Sequence, residues 1–295
     1  MLLAAPNFSE GRHNESITEI EAALTSKASV LDSHIDADHN RTVFTLAGDP
    51  GAPAASLLEG ARAAIARIDM QAHEGLHPAI GALDVCAIVW LSEADRELAE
   101  AEARSVARSI ADELAVPTFL YGALASSPER RERAFYRKGN LAELRERMAS
   151  GELRQDFGPA EPHPSAGGTL ITARPPLAAF NVVIDSSDPA TVSAVAAAMR
   201  ESEGGLDGVR AIGLVLSDGQ GQVSMNVHDP VAVPLRAVVE RVRELAGDHG
   251  TRPLSAELVG LISEAAMSDY PEDVPIDGFD PERHVIERRL RSLGS

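Results

Sequence analysis

Ala211–Val227 reads AIGLVLSDGQGQVSMNV, two apolar runs, Ala211–Leu216 and Gln222–Val227, joined by SDGQG. An Asp-Gly turn between such runs predicts a β-hairpin. Upstream, Ala178–Ile184 reads as a strand. Pro189–Arg200 reads as a helix, with Val192, Val195 and Met199 on one face. Downstream, Val231–Leu245 predicts a helix and Ser255–Leu261 a strand, followed by a charged, helical last stretch. The order is β-α-β-β-α-β. That is the split-βαβ, ferredoxin-like pattern, in which helices cover one face of an antiparallel sheet.

The first half repeats this order without residue-level identity. Residues 2–5 are a short apolar start, and Asn14 precedes a helical stripe of Ile17, Ile20 and Leu24. Ser29–Ile35 and Thr42–Ala47 are strand-like and are joined by DADHNR. Pro53 opens a helix with Leu57, Leu58, Ala61, Ile65 and Ile68 on its apolar face. Val85–Leu91 is apolar throughout, a buried strand. Glu93–Leu114 predicts a long helix and Thr118–Tyr121 a short strand. Residues 122–176 differ: they are rich in charge, Gly and Pro, with one helix near Leu141–Met148 and a long loop over Asp156–Thr169. Loops of that length are uncommon unless functional. The expected architecture is α/β (α+β): two βαββαβ modules, 1–177 with the connecting loop and 178–295, with a ligand groove between them.

Composition narrows the function. The 295 residues carry 27 Lys+Arg against 45 Asp+Glu, a formal charge of −18. With no long basic run, a nucleic-acid binder is disfavoured. No apolar run reaches the roughly 18 residues of a membrane span, and the start has no basic n-region. The single cysteine, Cys86, fits a reducing compartment. The expectation is a cytoplasmic globular protein without membrane or nucleic-acid partners.

Two clusters stand out. HEGLHPAIGALDVC, His73–Cys86, begins with the HExxH pattern of zinc proteases. That chemistry needs both histidines on a rigid helix; Gly75 weakens one and Pro78 biases His77 away from it. The other reading is a constrained turn before a buried strand, presenting His77 as a general acid or base. Beside it stands the plainer option of a surface-loop histidine. HIDADHNRT, His34–Thr42, is either a solvated turn or an anion site with Arg41 as a carboxylate clamp. PNFSEGR, Pro6–Arg12, either caps the first helix or presents Arg12 and backbone N–H groups to an anion. No P-loop lysine spacing and no GxGxxG occur.

PNFSEGR, DADHNRTVFTLAG (Asp36–Gly48) and HPAIGALDVC (His77–Cys86), in that order, resemble the formiminotransferase domain. VPTFLYG, YRKGN, DFGP, AFNV, GVRAIGLVLSDGQGQVSMNV and ELVGLI continue the resemblance over about residues 4 to 290. It implies two α/β subdomains, a folate site between them and a homodimer. The implied reaction is transfer of a formimino group from N-formimino-L-glutamate to N5 of tetrahydrofolate, in histidine breakdown. Tetrahydrofolate is then the co-substrate, and no metal is expected. The catalytic histidine falls on His77 and the folate loop on Gly158–Gly167. Substrate and folate contacts fall on Asn7, Arg12, His34, Asn40, Arg41, Gly158, Pro159, His163, Pro164, Ser165, Gly167 and Arg174, with Lys138 a further candidate cation. The chain departs from the family pattern at Ala79, where an arginine is usual, at His34, where an acid is usual, and at Ala166, where an aromatic is common. These departures keep a second reading open: a folate binder with another formyl or formimino donor, or without turnover.

Overall fold

The computed structural model describes residues 1–293, so the last two residues of the 178–295 module lie outside it. The chain forms two compact units, Met1–Pro175 and Pro176–Ser295.

In the first unit β1 (Leu2–Ala4) and β2 (Asn7–Phe8) precede α1 (Asn14–Leu24), β3 (Ser29–Asp36) and β4 (Arg41–Gly48). Then come α2 (Ala52–Arg67), β5 (Leu83–Val89), α3 (Arg96–Leu114), β6 (Thr118–Leu120), α4 (Leu141–Ala149) and β7 (Thr169–Arg174). The sheet is seven-stranded, ordered β1-β4-β2-β5-β7-β6, with β3 paired to β4. Ile17, Ile20 and Leu24 of α1, Leu57 and Ala61 of α2, and Val106 and Ile110 of α3 bury against Phe44, Val85 and Ile88 of the sheet. The predicted apolar stripes are therefore the packed faces.

One expectation is corrected. The sheet is mixed, because β7 lies between β5 and β6 and runs parallel to both. The 122–176 region is thus more than a connecting loop; its end, Thr-Leu-Ile-Thr-Ala, supplies an inner strand of the sheet. Parallel neighbours need a crossover, and α3 and the segment from residue 121 to 168 provide the lengths for it. The predicted helix at Glu93 begins as a 3-10 turn, Glu93–Asp95, before α3.

Glu102 and Cys86 are both buried in this unit. Gly51 at the N-terminus of α2 has no side chain to cap it. Instead Glu102 of α3 accepts from the Gly51 N–H at 2.9 Å and the Ala54 N–H at 3.0 Å. A carboxylate there satisfies orphan donors and complements the helix dipole. Glu102→Ala should cost about 1–3 kcal/mol, read as a lower urea midpoint; an unchanged midpoint refutes the cap. Cys86 is fully buried, and burial, with Glu102 adding to it, pushes its thiol up to about 12. It should resist thiol reagents at pH 8 in the native protein and react once urea unfolds it; rapid native labelling would contradict this.

The second unit contains β8 (Ala178–Ile184), α5 (Pro189–Met199), β9 (Val209–Val215), β10 (Gly221–Val227), α6 (Leu235–Asp248) and β11 (Pro253–Val259). Two short helices follow, α7 (Pro281–His284) and α8 (Ile286–Leu293), where a helical ending is expected. Its four-stranded sheet is antiparallel, ordered β11-β8-β10-β9. Phe180, Val182, Val223 and Met225 alternate inward against Val192, Val195, Val238 and Val242 of the helices. The SDGQG hairpin closes with Gly219 N–H on Leu216 O and Leu216 N–H on Gln220 O. The helix predicted from Val231 starts at Leu235, because Pro234 takes the N-cap.

Candidate active site

β2 lies between β4 and β5, with Asn7 opposite Val43 on one side and Val85 on the other. Asn7, Arg41 at the start of β4, and Asp84 on β5 therefore meet at one end of three adjacent strands. The turn before β5 adds His77. Arg41 organises the group. Its Nε donates to Asn7 Oδ1 at 3.0 Å, and its Nη2 donates to the same oxygen. Its Nη1 lies 2.8 Å from His77 Nδ1 and 3.4 Å from Asp84 Oδ2.

Asp84 is the anionic anchor, with a side chain only 1% exposed. Its Oδ1 accepts from the Ile80 N–H at 2.9 Å, and its Oδ2 also accepts from Arg137 Nη2. Arg137 comes from the YRKGN segment, just beyond the Arg133–Phe135 turn. Its Nε is buried without a hydrogen-bond partner. Three guanidinium groups, Arg41, Arg133 and Arg137, thus act on His77, while Asp84 neutralises one charge. Such an excess of buried positive charge is costly unless an anion arrives.

The protonation states follow. Burial pushes Arg41 down to about 9, with Asp84 opposing and Arg137 adding to the shift; the guanidinium stays charged at neutral pH. Burial, then Arg41, Arg137 and Arg133, hold His77 well below the usual imidazole range. His77 is therefore neutral at pH 7 and carries one proton on its ring. Two neighbours of Nδ1 select the tautomer. Arg41 Nη1 donates into it when the proton is on Nε2, whereas Pro78 O at 2.9 Å accepts when the proton is on Nδ1.

A second imidazole stands beside the first. The His39 and His77 rings are edge-on with centroids 6.1 Å apart. Asp36 accepts from the His39 backbone N–H at 2.8 Å and pairs with His39 Nδ1. Burial raises the Asp36 carboxyl, but the His39 hydrogen bonds outweigh it and the net shift is downward. Gly75 permits this arrangement: a Cβ there would lie 2.3 Å from His39 O.

The other expected residues divide. Asn40 adopts φ +48, accepts from the Gly11 N–H at 2.9 Å and donates to Glu74 O at 3.0 Å. It ties the three loops together. Arg12 is exposed and donates to Ala37 O. Lys138 is exposed, near Glu152 and the Phe135 ring. His34 sits on β3 opposite Val43. Residues 73–77 are not helical; His73 bonds Asn40 at 3.3 Å and lines a different cavity, of about 520 Å³, with Ser9, Glu10 and His13. The helical context that HExxH zinc chemistry needs is missing there.

In the Gly158–Gly167 loop, Gly158 has φ +87 and its carbonyl accepts from Gln155, and Pro159 follows it half-buried. Pro164 O accepts from Gln71, Ser165 O from the Met70 N–H, and His163 Nδ1 from the Ala166 N–H. Gly167 has φ +70, and a Cβ on it would lie 2.1 Å from Ile80 O. Its smallness serves backbone packing against the His77 segment. Burial pushes Arg174 down to about 10, and its Nη1 donates to Pro175 O.

Sequence reasoning passed over Asp84, Arg133, Arg137 and His39 as individual groups. Asp84 had a usable signal: a carboxylate inside an apolar strand must be paired. Arg137 had only its place in YRKGN as a signal and Arg133 had none, since both lie in a stretch rich in charge.

The comparisons agree with one another. The model of the formiminotransferase domain, N-terminal subdomain, matches residues 1–174, and that of the formiminotransferase domain matches 179–272. A glutamate formimidoyltransferase of Thermoplasma acidophilum is 34% identical over 296 residues, covering 98% of this chain and 97% of its own. One from Streptococcus pyogenes serotype M1 is 35% identical, covering 97% of each. The formimidoyltransferase-cyclodeaminase of Mus musculus is 34% identical over 90% of this chain, which spans 50% of that longer protein. On these matches over nearly the whole chain, the chain belongs to the formiminotransferase domain family.

Proposed function

We propose that the protein transfers a formimino group from N-formimino-L-glutamate to N5 of tetrahydrofolate and releases glutamate, with His77 as general acid and base. The observation that carries this reading is the neutral His77 imidazole set 2.8 Å from Arg41 in a site with surplus buried positive charge. A dicarboxylate donor supplies the missing anions, and a neutral imidazole is the form that accepts a proton.

The N5 amine attacks the amidine carbon and forms a tetrahedral intermediate. The carbon–nitrogen bond to glutamate then breaks. One proton leaves N5 and one reaches the departing nitrogen, so a single imidazole can return what it takes. For Nε2 to accept, the ring proton must sit on Nδ1 and point at Pro78 O. A substrate carboxylate that engages Arg41 removes the competing donor from Nδ1 and favours that tautomer. Ala79 leaves no arginine beside His77 in the sequence. Arg137 and Arg133 supply guanidinium groups near it from another segment, which supports an anionic donor over an inactive site.

The test is glutamate release from formiminoglutamate with and without tetrahydrofolate. Release that requires the folate supports the reading. Folate binding without release would leave a binder, or an enzyme for another donor.

A further inference from the structure

Arg133 is the guanidinium that the site leaves unspent. Arg41 is committed to Asn7, His77 and Asp84, and Arg137 to Asp84. Arg133 makes no hydrogen bond or ion pair among the described residues. It is half-buried, and its nitrogens, unlike Arg137 Nε, are not sealed from solvent. A ligand atom can therefore reach them.

The position of Arg133 is held from several sides. The Arg137 N–H donates to Arg133 O at 3.1 Å, closing a single helical turn. Residues four apart share a face, and His77 feels both charges. Like charges at that spacing repel, and a lone turn is unstable by itself. Two clamps offset this. Arg147 donates from Nη1 to Tyr136 O at 3.1 Å and from Nη2 to Phe135 O at 2.8 Å. The Tyr136 hydroxyl donates to Leu120 O at 2.9 Å. Burial first, then Arg137, lowers the Arg133 value, with Tyr121, Asp84 and Glu132 opposing. The guanidinium stays charged, and an incoming anion relieves both its desolvation and its repulsion from Arg137.

N-Formiminoglutamate carries two carboxylates. The α-carboxylate sits on the carbon that bears the reacting nitrogen, so it falls to Arg41, which touches His77. The other carboxylate lies two methylenes further out. We propose that Arg133 is a specificity-determining residue that receives this side-chain carboxylate and so selects an acidic donor over a neutral one. The proposal rests on the reading that His77 works on N-formiminoglutamate. A guanidinium fork pairs with a carboxylate through two parallel N–H···O bonds. An amide of the same shape offers one oxygen, no charge, and N–H groups that face other donors.

The experiment is calorimetric binding of N-formiminoglutamate and its side-chain amide, N-formiminoglutamine, to wild type, Arg133→Gln and Arg133→Lys, with the urea midpoint as the check on folding. Wild type should bind the acid at least about 10-fold more tightly than the amide. Arg133→Gln should bring that ratio near one by weakening the acid alone. Arg133→Lys keeps the charge but not the fork and should retain part of the preference; it carries the test should Arg133→Gln fail to fold. Arg131→Gln removes the same charge from an exposed position nearby and should keep the wild-type ratio. A ratio near one in wild type, a ratio that Arg133→Gln leaves unchanged, or an equal fall in Arg131→Gln overturns the proposal. Glutamate release beside an unchanged ratio would reject Arg133 and keep the catalytic reading. A preference lost in Arg133→Gln, without glutamate release from wild type, would overturn the catalytic reading and leave the assignment standing.

Discussion

His77→Ala should lower tetrahydrofolate-dependent glutamate release by about 10²–10⁴-fold, the usual range for a general acid or base. The fold should survive, because His77 lies in a turn and its Nδ1 contacts are Arg41 and Pro78 O. Residual turnover would reflect two substrates held together by the rest of the site. A His77→Ala rate within about threefold of wild type would remove His77 from the mechanism.

The pH profile gives a sharper check. Burial first, then Arg41, lowers the His77 value, so the acid limb of activity should lie below the ordinary imidazole value of about 6.5. Arg41→Gln removes one depressing charge. Its acid limb should move up, and the donor KM should rise as the clamp is lost. The same shift affects stability with a definite sign. The folded chain binds the His77 proton less readily than the unfolded chain, so this contribution is full above about 6.5 and falls as pH drops through that value towards the folded one. A limb at or above 6.5 in wild type would contradict the assigned environment.

Asp84→Ala should destabilise the protein by about 3–5 kcal/mol, because it leaves buried guanidinium groups without their counter-charge. Asp84 accepts from Arg41, Arg137 and the Ile80 N–H and is almost wholly enclosed. Its loss should therefore lower the urea midpoint and also release Arg41 from His77, reducing activity in whatever fraction stays folded. Asp84→Asn keeps the shape and should cost less. A loss of stability below about 0.5 kcal/mol would place the cluster among surface-like pairs.

Local structure is legible in the residues wherever one rule acts on a contiguous stretch. The Asp-Gly hairpin before Gln222, the stripe Val106–Ile110 and the Pro-weakened segment after His77 all follow from turn chemistry and periodicity. The sequence also determined the family, through ordered short motifs, and it brought His77 and Arg41 forward as candidates. It did not place β7: Thr169–Arg174 reads as the end of a Gly- and Pro-rich loop, and only the open space between β5 and β6 makes it an inner strand. The charge arrangement was equally illegible. Arg137 lies 53 residues from Asp84 along the chain, and nothing local to YRKGN says that its guanidinium is buried. Asp36 and His39 lie only three residues apart, but the burial of His39 beside His77 comes from a segment distant in sequence. Periodicity and turn propensity act over a few residues, whereas desolvation and charge pairing depend on which distant segments close over a group. The tertiary structure therefore decided the protonation of His77 and the burial of His39 beside it.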